Sequence, residues 1–111
     1  MALQHDFFND SDPRAALERE WLDLTRKVMP ACAQDRRQKR DWPVHLDHCF
    51  QRILLDNACG GAWRDHIAPP AYRNADKQTL RRAIKLGRAV IAGEADLWEL
   101  NARSLAWRGK G

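Results

Sequence analysis

The sequence predicts an all-α protein, a compact irregular four-helix bundle with an ordered loop at about residues 62–74. Three observations carry this expectation. Apolar residues recur at three- and four-residue steps in four separate stretches. Aspartate, proline and glycine fall where helices start and stop. No segment alternates apolar and polar residues between turn signals, so no strand is expected.

Asp12-Pro13 opens the first helix as an N-cap followed by proline at the first helical position. Leu17, Trp21, Leu24 and Val28 then recur at helical spacing and form one apolar stripe. Pro30 marks the expected end, with Ala31–Gln34 a frayed turn at most. Residues 35–41, DRRQKRD, carry no apolar side chain and read as a loop or an exposed helix end. Asp41-Trp42-Pro43 predicts the second start, after which Leu46, Phe50, Ile53 and Asn57 share a face with Leu54 beside them. Gly60-Gly61 closes that helix, because glycine takes the left-handed conformation at least cost.

From Ala62 to Asn74 the period is lost, and Pro69-Pro70 prevents a regular helix through that point. A short turn at Trp63–Ile67 and an ordered loop are expected there. Asn74 or Asp76 caps the third helix, whose buried arc is Leu80, Ala83, Ile84, Gly87, Val90 and Ile91, and which Gly93 ends. Ala95–Trp107 makes the fourth, through Leu97, Trp98, Leu100, Leu105 and Trp107.

A chain of 111 residues makes one domain with one modest core; residues 1–11 read as an arm and 108–111 as a frayed tail. With 44% hydrophobic and 31% charged residues the balance is globular rather than disordered. No apolar run approaches the roughly 20 residues that span a bilayer, so no membrane partner is expected. The start, MALQHDFFNDSDP, has neither a basic nor an apolar leader region, and three cysteines at 32, 49 and 59 form no disulfide framework. A cytoplasmic monomer or small homo-oligomer with free thiols is the expectation.

The net charge of +4 is unevenly placed. Residues 1–35 hold seven acids against four Lys/Arg, and residues 36–111 hold eight against fifteen. The C-terminal two-thirds therefore invites an acidic partner, either nucleic acid or an acidic protein surface. Lys77, Arg81, Lys85 and Arg88 fall within about 80° of one another on the third helix, beside its apolar arc. Arg36, Arg37, Lys39 and Arg40 add a second basic group in the preceding loop. Such clusters meet phosphates well because binding releases condensed counterions, although a half-exposed helix also shows charge to water with no partner at all.

The stretch from Trp42 to Tyr72 holds three of the four histidines, two of the three cysteines and two tryptophans. Within it the 62–74 loop is the preferred binding site. Trp63, Arg64, His66, Tyr72 and Arg73 could line a groove for a stacked base or a peptide, or else hold the loop to the bundle. His45, Cys49, Cys59 and His66 are capable of binding zinc, but C-x9-C-x6-H lacks the paired short spacings of zinc sites. Cys49 with His45 and His48 offers the parts of a thiol nucleophile without an oxyanion donor in sight. Asp56 lies four residues after Arg52 and reads as an ordinary helical ion pair.

The segments DWPVHLDHCFQRILLDNACGGAW, PAYRN and NARSLAWRGK resemble short bacterial proteins of unknown role that are labelled GCN5-related N-acetyltransferases. The similarity runs from HDFF near the start to the tail. The label implies a mixed sheet flanked by helices, with acetyl-CoA held where a strand turns through R/Q-x-x-G-x-G/A into a helix. This chain has no such segment, since Ala62-Trp63-Arg64 follows Gly60-Gly61, so no acetyltransferase residue carries across.

The sequence thus reads as a small basic binding module without catalytic residues, cofactor or metal. Nucleic acid is the first partner class, bound through the third helix and the 62–74 loop. Two alternatives remain: an accessory protein for an acidic protein partner, and a small enzyme or transferase built on Cys49, His45, His48 and His66.

Overall fold

A computed structural model describes residues 12–110; the expected arm at 1–11 and Gly111 lie outside the described residues. Every regular element among the described residues is helical, as expected. Helix α1 (Pro13–Asp23), a π-helical turn (Leu24–Val28) and α2 (Met29–Ala33) follow one another without a break. Then come α3 (Asp47–Cys59), a 3-10 turn (Trp63–Asp65), the short α4 (Ala71–Asn74), α5 (Lys77–Ile91) and α6 (Leu97–Trp107). α3 is central and packs on α5, α6 and the π turn, while α1 packs on α5. The result is a small helical bundle.

Capping follows the sequence closely. Asp12, Asp76 and Asp96 each accept a hydrogen bond from a first-turn backbone N–H, at 3.0, 2.7 and 2.9 Å. Gly60 and Gly93, at φ 74° and 78°, take the left-handed conformation where α3 and α5 end. Asp76, not Asn74, caps α5; Asn74 instead donates its side-chain amide to the Ala68 carbonyl.

Two expectations fail in the first half of the chain. Val28 is exposed, and Thr25 and Met29 are buried with Trp21 and Leu24. The cause is the π turn, in which the Met29 N–H bonds to the Leu24 carbonyl five residues back. One extra residue enters the turn and the stripe slips by one position. The Thr25 hydroxyl donates to the Trp21 carbonyl at 2.9 Å, which gives that oxygen a partner inside the distorted turn. Pro30 does not end the helix either. In a regular helix its ring would meet the Arg26 carbonyl, and the widened turn just before it lets the backbone continue to Ala33.

The second helix starts at Asp47 rather than at Trp42. Trp42 packs edge-on against Phe50 at 5.6 Å between centroids, and the Asp41 carbonyl accepts the Trp98 indole N–H at 2.8 Å. These contacts hold 41–46 in an irregular path over the core and leave Leu46 exposed. Trp98 and Trp107, expected to help build the fourth helix's packing, are exposed on α6; Leu97 and Leu100 are its buried apolar residues.

The first helix, α3 and α5 meet at Gly87. A Cβ there would lie 2.8 Å from Leu24 Cδ2 and 3.1 Å from Leu54 Cδ1, both on fully buried side chains. Gly87→Val is therefore expected to cost about 2 kcal/mol by overpacking. A thermal melt should show a fall of roughly 10 °C.

The hydrogen bonds from Thr79 to Asp76 hold its carboxyl below the usual carboxylate range. A depressed carboxylate adds stability above its unfolded pKa, and that stability is lost as pH falls through the lower folded value. Asp76→Ala should cost about 1 kcal/mol in urea titrations at about pH 7, a gap that narrows at about pH 2.5.

Candidate functional site

The 62–74 segment is not a free loop. Its entry is fixed by the Trp63 N–H, which donates to Asp56 Oδ1 at 2.9 Å. Its exit is fixed by Arg14 on α1, whose Nη2 donates to the Tyr72 and Arg73 carbonyls at 2.9 and 2.6 Å. Between these ties Ile67 and Ala71 are buried in the core. A cleft of about 530 Å³ opens between this segment, the first helix and α3.

Asp56 organises one wall. It is fully buried on α3, where an isolated carboxylate would cost several kcal/mol. Four donors meet it. Arg108 forks onto both oxygens, with Nε at 2.7 Å and Nη2 at 2.9 Å. The Ser104 hydroxyl donates to Oδ2 at 2.7 Å, and the Trp63 N–H takes the remaining site on Oδ1. The pairing raises the Arg108 pKa through the Asp56 hydrogen bond, against the opposing effect of burial. Among the described residues no buried side-chain nitrogen or oxygen lacks a partner.

This corrects two expectations. Arg108 belongs to the body of the fold, not to a frayed tail. Arg52 forms no ion pair with Asp56; it reaches α6, donating to Ser104 Oγ at 2.7 Å and to Asn101 Oδ1 at 2.8 Å. Ser104 thus stands between them, accepting from the arginine and donating to the carboxylate. Among the described residues Arg52 is held by the neutral oxygens of Ser104 and Asn101 and forms no direct ion pair.

Arg26, Arg52, Arg64 and Arg108 all line the cleft, and among the described residues no aspartate or glutamate does. Of the four, only Arg108 is ion-paired among the described residues. Aromatic rings supply the apolar surface. Arg26 and Arg73 both lie against Tyr72, at 5.7 and 5.8 Å from the centroid, and Arg64 lies 5.4 Å from the centroid of Trp63. Guanidinium groups on ring faces keep their edge N–H groups available for an anion.

The structure brings together part of the site expected from sequence. Trp63, Arg64 and Tyr72 line the cleft, and Arg73 touches it only through Tyr72. His66 lies in a separate depression of about 260 Å³ with Cys59, Asp76 and Arg82. Lys77, Arg81, Lys85 and Arg88 are exposed on α5 and line neither; Arg88 is paired with Glu20 at 2.6 Å. Sequence reasoning missed Arg26, Arg52 and Arg108.

The His/Cys residues do not converge. His48 lies on the cleft, whereas Cys59 and His66 lie in the second depression. No group of three His, Cys, Asp or Glu side chains among the described residues is placed to hold a metal. Burial pushes the Cys59 thiol up, Asp56 and Asp76 add to the rise, and Arg82 opposes it. That thiol is the reverse of an activated nucleophile.

Fold and cleft together describe a small helical protein with a cationic, aromatic-lined recess. No family model, curated protein or solved structure matches this chain.

Arg108→Ala would leave Asp56 buried without its fork, at an expected cost of about 3–5 kcal/mol. Ser104→Ala should cost less, about 1–3 kcal/mol, because the arginine still meets the carboxylate. Urea titration of both variants checks the order, and an Arg108→Ala protein as stable as wild type would remove the pair from the account.

Proposed function

We propose that this chain is a small basic binding module for nucleic acid, and that the cleft takes a nucleotide unit. The observation that supports this most is the set of three arginines, 26, 52 and 64, in one recess with Trp63 and Tyr72, none of the three in an ion pair among the described residues. Phosphate oxygens suit the fork of a guanidinium that has no competing anion. A splayed base suits aromatic and guanidinium faces, which stack on any base. At about 530 Å³ the cleft falls within the range of about 300–1,000 Å³ that holds small ligands.

The basic face of α5 has a different part in this reading. Lys77, Arg81 and Lys85 are exposed and form no ion pair among the described residues. They attract a polyanion at long range, in a manner that salt weakens, while the cleft supplies contacts that salt weakens less. An accessory protein that meets an acidic protein surface is the second reading, favoured by Trp98 and Trp107 exposed on α6.

Fluorescence anisotropy with labelled single-stranded DNA, RNA and duplex DNA at low and near-physiological salt tests the proposal. Binding of a single strand should persist at the higher salt. Arg64→Glu should weaken it about tenfold or more, and Arg52→Lys, which keeps charge but loses the fork, about fivefold. Lys85→Glu should change mainly the salt dependence. Absence of binding at low salt, or loss only on α5 charge reversal, would overturn the assignment to the cleft.

A further inference from the structure

The cleft does not end at its own rim. Arg26 also lines a third depression of about 410 Å³ on the outer face of the first helix, with Arg19, Leu22, Asp23 and Lys27. Three cations and one carboxylate meet there, and neither Arg19, Arg26 nor Lys27 is ion-paired among the described residues. Positive charge therefore runs from Arg64 and Arg52 across Arg26 to Lys27 and Arg19.

The π turn creates the junction. In the widened stretch Thr25 turns inward, and Arg26, Lys27 and Val28 are exposed one after another. Thr25 is tied by its bond to Trp21 and by Gln51, whose amide donates to its hydroxyl at 3.0 Å. The two adjacent cations are thus set outward by a fixed backbone distortion of the kind that recurs at functional sites.

A mononucleotide would fill the cleft and leave the outer depression empty. A duplex keeps its bases stacked and paired, so Trp63 and Tyr72 would have nothing to receive. From the shared Arg26 we infer that the ligand is a single strand, one base lodged against the loop aromatics and its backbone continuing over Arg26 to Arg19 and Lys27. This rests on the nucleic-acid reading above and adds to it the strandedness, the path and a second set of contacts.

The test is a length series of thymidylate oligonucleotides, from the dinucleotide to the hexanucleotide, titrated against wild type and the double variant Arg19→Glu/Lys27→Glu. Both positions are exposed and outside the core, and circular dichroism melts of the variant confirm that it folds. For wild type, affinity should rise about tenfold or more between the dinucleotide and a length on the order of four nucleotides. The double variant should lose that rise and still bind the dinucleotide like wild type. Dinucleotide binding with no gain from length overturns the strand path and leaves the cleft reading standing. An equal loss for every length also overturns it, since the two cations would then act only as general charge. Tighter binding of a hexamer duplex than of its single strand overturns the strandedness. Failure of every oligonucleotide to bind wild type overturns the underlying reading itself.

Discussion

The carboxylate of Asp56 is the point on which the rest of the structure depends. It joins α3, α6, the start of the 62–74 segment and the C-terminal end of the described chain through four hydrogen bonds. Its own backbone carbonyl also accepts from the Gly60 and Gly61 N–H groups at 2.8 and 3.1 Å, which closes the helix it belongs to. A buried ion pair gives little net stability over a well-packed apolar alternative. Here it sets geometry instead. The carboxylate forces the Trp63 backbone against α3, and that contact sets where the loop leaves the bundle and therefore where the cleft has its wall.

The first helix solves a second constraint. A proline in the middle of a helix requires one carbonyl to move aside, and the chain provides room one turn early with the π segment. The slip buries Thr25 and Met29 and exposes Val28, at the cost of one apolar contact. It also separates two jobs along one helix. Upstream, Trp21 and Leu24 serve the core; at the turn, Arg26 faces the loop and lies against Tyr72. A regular helix with the same sequence would put Val28 inward and rotate the residues that follow.

Much of the fold was legible in the sequence, because local signals and tertiary packing agree there. Asp12-Pro13, Asp76, Gly60 and Gly93 act through bonds to their own neighbours, so their pattern is enough to place four helix boundaries. Trp42 is the opposite case: its rim of polar and proline residues looks like a helix start, but Phe50 and Trp98, eight and fifty-six positions away in sequence, decide its path. The cleft was only half legible. Trp63, Arg64 and Tyr72 stand out by composition, whereas Arg26, Arg52 and Arg108 look like ordinary surface charge. The available signal was subtler. Asp56 follows Ile53 by three residues on α3, and Ser104 follows Leu97 and Leu100 at helical steps on α6, so each polar residue interrupts an apolar stripe. Two such interruptions on facing helices mark a buried polar contact, and a buried carboxylate requires a cation from somewhere in the chain.

The uneven charge of the two parts of the chain takes on meaning once the pairs are known. Acids of the first helix neutralise cations that pattern alone would count as binding residues: Glu20 takes Arg88 of α5, and Glu18 takes Arg14, whose other bonds tie down the loop. Asp56 takes Arg108. Arg26, Arg52 and Arg64 are the cleft arginines outside these pairs. Arg52 is the most telling, because a carboxylate lies one turn away on the same helix and the fold inserts a serine hydroxyl between the two. Fixing Arg52 with Ser104 and Asn101 costs rotamer freedom in advance and keeps the carboxylate off the guanidinium itself, one hydroxyl away. Under the proposed function, a guanidinium held in this way suits anion recognition, and the proposed ligand belongs to the cleft rather than to the longer basic face of α5.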